Sequence, residues 1–184
     1  GKIGINGISY YAMNQWQVAT LQPPHLTAMC AWEGAADFYR DGSHHGGILC
    51  TFMKNWYDMQ VASVQHGKGS RGYRSRMTGD WVSGPPTLTE EELGANREDL
   101  GKSALEHPLD DDYWKARMPD WSKVTLPFLS ASNWGGQGLH PRGNAEAFTQ
   151  AASENKWFES HGIEHWTEFY TDYGREIQLK FFNY

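Results

Sequence analysis

Cysteine is scarce in this 184-residue chain, which has only Cys30 and Cys50. Without CxxC spacing, the pair points to free thiols rather than a redox or zinc motif, with a disulfide as the minority alternative. Long apolar runs are missing too, and nothing approaches the roughly 20 residues of a membrane helix. No charged-then-apolar leader opens the chain. The expectation is a chain outside the membrane, with the cytoplasm favoured. Positive charge is in deficit: 16 Lys and Arg face 22 Asp and Glu, a net charge of −6, and no basic stripe appears, which argues against a nucleic-acid partner. Repeats and low-complexity tracts are absent. So is any carboxylate between Asp120 and Glu146, a gap that matters for the chemistry below.

What is present is enough apolar material for one core. Hydrophobic residues make up 39% of the chain and tryptophans number nine, which excludes a disordered chain. "KIGIN" reads as a buried strand, and Tyr10 to Gln22 as a helix stopped by Pro23-Pro24. "HLTAMCAW" is a second strand, followed by a polar loop from Glu33 to His45. Residues 46–65 carry Ile48, Phe52, Trp56 and Met59 at helical spacing, and 66–86 form a loop rich in Gly, Ser and Arg. "TLTEEEL" offers two overlapping capping boxes, Thr87 to Glu90 and Thr89 to Glu92. "HPLDDDYWKAR" predicts a short helix. "VTLPFLSAS" is a third strand, followed by the turn "NWGGQG" and a helix over 142–153. "KWFESH" is a fourth strand, followed by the loop "GIEH". A final helix has Phe169 or Tyr170, Tyr173, Ile177 and Phe181 on one face. Strands alternating with helices imply a parallel α/β sheet with right-handed crossovers. Residues 1–45 and 123–184 would hold the sheet, and 46–122 a helical insertion.

A strand, then Gly7-Ile8-Ser9, then a helix is the pattern of a nucleophile elbow. The sharp turn lifts the serine clear of the sheet's carboxyl edge. Gly7 tolerates the crowding, and the next backbone N–H faces a developing oxyanion. Tyr11 stands where the usual last glycine would be, and Gly-x-Ser alone also fits an ordinary turn serine. The longer run "GISYYAMNQWQVA" resembles the cocaine esterase / X-prolyl dipeptidyl-peptidase family of serine hydrolases. "EGAADFYRD", "HPLDDDYWKARMPDWSKVTLPFL" and "GIEHW" agree with that family in order and spacing. The resemblance implies an α/β-hydrolase core with an inserted helical cap and a C-terminal jelly roll. By it, Ser9 is the nucleophile, the Tyr10 N–H an oxyanion donor and His165 the general base. His161, at the strand end, is the fallback base. A structural role is the alternative for either histidine.

The family's acid follows the seventh strand, in a segment like "GWYDGF". Here the text is "NWGGQG", and the acid's place falls to Gly136. Some α/β-hydrolases take the acid from the end of the sixth strand instead, where Glu33 stands with Asp37 close behind. Asp37 reads better as an arginine partner, and Glu164 is too near His165 in sequence to orient its ring. The resemblance begins at the family's fifth strand. The chain would then be the C-terminal half of an α/β-hydrolase parallel sheet, about four strands with an open edge, needing preceding strands or another chain. The implied activity is cleavage of esters or amides, X-prolyl peptide bonds among them, through an acyl-enzyme and without a cofactor. The substrate would be a small-molecule ester or amide or a short peptide. The alternative is a catalytically impaired relative that binds a ligand or partner.

Other clusters read more plainly. His44-His45 beside Asp41 lacks a third metal ligand at recognisable spacing. The acidic run 110–112 lacks the oxygen spacing of a calcium loop and suits a helix N-terminus. "GKGSRGYRSR" reads as a solvent-facing loop. Trp56, Tyr57, Trp81 and Trp114 fit either an acyl pocket or core packing.

Overall fold

The computed structural model describes residues 1–135 and 138–184. The chain divides into two compact units, one of Gly1–Gly42 with Asp110–Tyr184 and one of Ser43–Leu109. The first unit opens with β1 (Ile3–Ile8), α1 (Tyr10–Thr20) and β2 (Leu26–Trp32). The second unit holds β3 (His44–His45), β4 (Ile48–Leu49), α2 (Phe52–Trp56), α3 (Glu90–Ala95) and α4 (Leu100–Glu106). The first unit resumes with α5 (Asp112–Lys115), β5 (Phe128–Asn133), α6 (Pro141–Gln150), β6 (Lys156–His161), α7 (Thr167–Tyr170) and α8 (Asp172–Phe182).

In the first unit, four strands form one sheet in the order β1-β2-β5-β6, and every pairing is parallel. Spatial order follows chain order, so each crossover steps the sheet one strand onward. The two-residue alternation of β2 sorts its side chains onto opposite faces. Met29 and Ala31 join Ala12, Trp16 and Ala19 of α1, Phe128 of β5 and Ala147 of α6 in one core. Cys30 and Trp32 join Leu129 and Ala131 in the other, against Phe169, Ile177 and Phe181. Strands covered on both faces read as nearly continuous apolar or small residues, as "LTAMCAW" does. Trp16 meets Trp121 and Phe128 edge-to-face at centroid separations of 5.7 and 5.5 Å. β1 pairs only with β2 among the described residues, and Ile3 on it is 54% exposed.

Three elements depart from the sequence-based expectation. β1, expected as a buried strand, has no buried residue, because among the described residues nothing pairs with its outer side. The final helix is broken in two at Thr171, whose extended backbone and hydroxyl cap α8 by accepting from the Gly174 N–H at 3.1 Å. Gly174 packs so closely on the Glu168 carbonyl that a Cβ would overlap it. Tyr173 leaves the buried face and donates its hydroxyl to Glu159 at 3.3 Å. The helix expected over 46–65 starts only at Phe52, with Ile48 75% exposed on the two-residue β4, and a wide π-helical turn follows at Tyr57–Ala62. The glycine pair at 46–47 takes positive φ (61° and 84°), which no helix accommodates.

Other readings hold locally. Of the two capping boxes in "TLTEEEL", Thr89–Glu92 forms, with both reciprocal bonds. In the second unit Arg74 lies over the Trp81 ring at 3.6 Å, and the Tyr57 hydroxyl accepts from Arg97 at 2.8 Å. Trp114 is buried in the first unit against Tyr113. Asp111 caps α5, and Asp110 pairs with Arg40 at 2.7 Å. Both cysteines are free thiols.

Candidate active site

The loops after all four parallel strands converge at the sheet's carboxyl edge, and each brings a polar side chain. Ser9 follows β1 directly, with φ 57° and ψ −115°, a backbone region sparsely populated by L-residues. The turn is held on both sides. The Ser9 N–H donates to Trp32 at the end of β2 at 2.9 Å, and the Ser9 carbonyl accepts from Ala12 and Met13 at 2.9 and 2.8 Å. A Cβ on Gly7 would come 2.5 Å from Tyr11 Cβ, so the residue two before the serine must be glycine for the bend to close. Tyr10 is the first residue of α1, and its N–H is a first-turn amide at the helix's positive end.

Glu33 follows β2, also at positive φ (53°), and its N–H donates to Ala131 at 2.7 Å. Its fully buried carboxylate collects three donors: Asn133 Nδ2 at 3.1 Å, His161 Nε2 at 3.4 Å and, in a short contact, His165 Nδ1. Burial pushes this carboxyl up. The hydrogen bonds from His161, His165 and Asn133 outweigh that and bring it down to about 2. His161 lies between two carboxylates, with Nδ1 2.8 Å from Glu159 Oε2, and Trp32 stacks on its ring at 5.0 Å. Burial works against its charged form, but the bonds to Glu159 and Glu33 prevail and raise it to about 9. With each ring nitrogen bonded to a carboxylate, His161 has none left to face Ser9.

A third histidine, which sequence reasoning passed over, touches the serine. His140 Nε2 lies 3.0 Å from Ser9 Oγ, and its ring stacks on His165 with centroids 5.4 Å apart and planes 19° from parallel. His140 Nδ1 accepts from the Ala35 backbone N–H at 3.2 Å. Burial, with His165 beside it, lowers this imidazole to about 4. The start of α6 seats the ring. A Cβ on Gly143 would overlap the Ala36 nitrogen and lie 2.6 Å from Ala35 Cα, so only glycine allows this approach. Buried Asn144 locks the same segment. It accepts from Gly34 N–H at 2.8 Å and donates to the Ala31 carbonyl at 3.1 Å and to Ser130 Oγ at 2.9 Å. Arg142 reaches buried Asp41 at 3.0 Å, and Asp41 accepts from the Ala36 and Asp37 N–H groups. The signal for His140 was positional, since it ends the loop after the third strand of a parallel sheet, where sites gather.

The structure thus brings Glu33 and His165 together and sets Ser9 on His140. Among the described residues no hydrogen bond joins Ser9 to His165 directly; the stacked His140 ring stands next to both. Gly136, the position of the usual acid, lies outside the described residues. Asp37 pairs with Arg40 at 2.8 Å, and Glu164 accepts from Thr167 at 3.2 Å. His44 bonds Ser43 at 3.1 Å. Among the described residues no group of three or more His, Cys, Asp or Glu is placed to hold a metal, and no helix is long and apolar enough to cross a membrane.

A parallel sheet with helices on both faces and a strained serine between the first strand and first helix defines the α/β-hydrolase class. Comparison with known proteins narrows this. The X-Pro dipeptidyl-peptidase (S15 family) pattern matches residues 1–167, and the chain belongs to that family. A CocE/NonD family hydrolase from Staphylococcus aureus is 39% identical with a TM-score of 0.77, over 100% of this chain and 28% of that one. The chain therefore spans about a quarter of that relative's length. An acylaminoacyl peptidase in complex with Z-Gly-Gly-Phe-chloromethyl ketone shares the fold at 14% identity and TM-score 0.56, over 100% of this chain and 24% of that one. A hydrolase from Oleispira antarctica does so at 11% and 0.52, over 100% and 66%. No curated protein sequence matches the chain.

Proposed function

We propose that this chain carries the catalytic residues of a serine hydrolase that cleaves ester or amide bonds through an acyl-enzyme. Ser9 Oγ attacks the carbonyl carbon and passes its proton to His165 Nε2. His165 then gives that proton to the leaving alcohol or amine, and water repeats the sequence to release the acid. Glu33 fixes the tautomer: by accepting from Nδ1–H it leaves Nε2 as the basic nitrogen and stabilises the imidazolium. The Tyr10 N–H faces the oxyanion. The observation that carries this reading is the bond between the His165 ring and a buried, ionised Glu33 on the strand end adjoining Ser9's. It also weighs against a binding-only relative, since it gives His165 a carboxylate partner in place of the acid missing after β5. Ser9 would meet His165 Nε2 in the substrate complex, where catalytic hydrogen bonds commonly tighten. The substrate class is a small-molecule ester or amide or a short peptide, X-prolyl peptides included. The hydrolase named among the structural relatives and the dipeptidyl-peptidase family support that range.

A fluorophosphonate probe on the intact protein tests the assignment. Labelling at Ser9 that Ser9→Ala abolishes is the expected result, and Glu33→Gln should slow turnover by roughly 10³–10⁴, as loss of a triad acid does. A folded protein that never labels, at any pH between 6 and 9, would refute the proposal.

A further inference from the structure

We infer that His140 is a second catalytic histidine that works only as a hydrogen-bond donor, holding Ser9 Oγ with its Nε2–H and never taking the serine's proton. This rests on the serine-hydrolase reading above and deepens it.

The argument starts from the other side of the ring. The Ala35 N–H can only donate, so the His140 Nδ1 it points at, 3.2 Å away, must present a lone pair. A neutral imidazole with Nδ1 unprotonated carries its hydrogen on Nε2. The atom 3.0 Å from Ser9 Oγ is therefore an N–H, and the serine oxygen accepts from it. The reverse tautomer, which a general base needs, would set two N–H groups against each other at Ala35. Among the described residues no hydrogen bond joins a carboxylate to His140 Nδ1 to favour that tautomer, whereas His165 Nδ1 has Glu33. The ring is 2% exposed, so water does not offer Nδ1 an alternative partner. Its depressed basicity agrees, keeping it neutral at working pH beside a His165 that must become cationic. Gly143 and Asn144 fix Ala35 and the ring against each other, so the tautomer is built into the backbone path.

Two histidines thus divide one task. As the Oγ proton passes to His165, the His140 N–H holds the negative charge that develops on Oγ until the Oγ–carbon bond forms and the charge moves to the carbonyl oxygen. In deacylation His165 takes a proton from the attacking water, and as the carbon–Oγ bond breaks it passes that proton to Oγ while the same His140 N–H supports the departing oxygen. His140 keeps its own proton throughout, and with its hydrogen committed to Oγ the serine's O–H is left to point at a different acceptor.

Glutamine mimics a donor at the Nε2 position and has no basic nitrogen, while phenylalanine keeps the stacking and loses the donor. In the intact protein, His140→Phe should slow fluorophosphonate labelling of Ser9 by about 10²-fold, in the range for losing one preorganised donor. His140→Gln should recover most of that, staying within about tenfold of wild type, with the pH dependence unchanged. Equal loss in both variants, with the pH inflection gone, would make His140 the base and overturn the inference. A readout independent of turnover is the tautomer, from ¹⁵N-histidine NMR of the intact wild-type protein, with the His140 signals assigned by their loss in His140→Gln. The Nε2–H form is expected, and an Nδ1–H form overturns the inference whatever the activity of the variants. Absence of any Ser9 labelling in a wild type that shows the Nε2–H form would refute the hydrolase reading, and the catalytic role with it.

Discussion

The residue that governs the site's charge is Glu33, because one buried carboxylate serves two imidazoles. Its folded pKa lies below its ordinary 4.5, so its contribution to stability is complete above pH 4.5 and is lost as pH falls towards 2. His140 is held neutral in the fold, below its ordinary 6.5, so its contribution is complete above pH 6.5 and is lost as pH falls through 4. His161 is shifted the other way, so its contribution is complete below pH 6.5 and is lost as pH rises through 9. Stability of the intact protein should therefore peak near pH 6.5 and decline on both flanks, measured as the urea midpoint against pH. His161→Asn should flatten the alkaline flank, and an unchanged flank would count against the charged His161. The two thiols differ as sharply. Burial, with Glu159 nearby, pushes Cys30 up to about 12, whereas Cys50 is half-buried. Iodoacetamide should modify Cys50 in the native protein and reach Cys30 only after unfolding, as mass spectrometry can follow.

At the scale of elements, the parts with strong periodicity or strong punctuation were legible. The central strands β2 and β5 stood out because strands covered on both faces are nearly continuous in apolar or small residues, and α1 because prolines close it. Ser9 was legible because an elbow needs glycine and a small hydroxyl at fixed offsets. The contact between Glu33 and His165 was expected only through the resemblance, because some α/β-hydrolases take their acid from the end of the sixth strand. The seat of His140 was not legible, because it depends on the Ala35 N–H, a backbone group without a sequence signature, and on Gly143, whose close contact lies 107 residues away. The break at Thr171 was missed because threonine is tolerated within helices and only its partner, Gly174, shows it to be a cap. These close approaches are testable. Gly143→Ala should cost about 1–3 kcal/mol of stability, typical of overpacking. It should also slow Ser9 labelling as His140→Phe does, since it shifts the Ala35 segment from the ring. Wild-type labelling by a destabilised Gly143→Ala protein would show that the seat of His140 is not catalytically important.

Across the molecule, the parallel sheet gathers Ser9, Glu33, His140 and His165 at one edge because each comes from the loop that follows a different strand. The same topology leaves β1 with one neighbour among the described residues, its backbone ladder open on the outer side. An isolated polypeptide of residues 1–184 is expected to self-associate through that edge. Light scattering would detect this, and a monodisperse, cooperatively folding monomer would contradict it.

The salt bridge between Arg40 and Asp110 has a further meaning for how such a chain can be altered. Arg40 stands two residues before the first unit pauses, and Asp110 is where it resumes, so the bond pins the exit and the re-entry of residues 43–109 to neighbouring points. A gate closed at its hinge lets the panel be changed. The intervening stretch could be exchanged for a few-residue tether, or for a differently shaped one, while the four-stranded platform keeps its register. Changes can then accumulate in the exchangeable piece without moving the strands that carry Ser9 and Glu33.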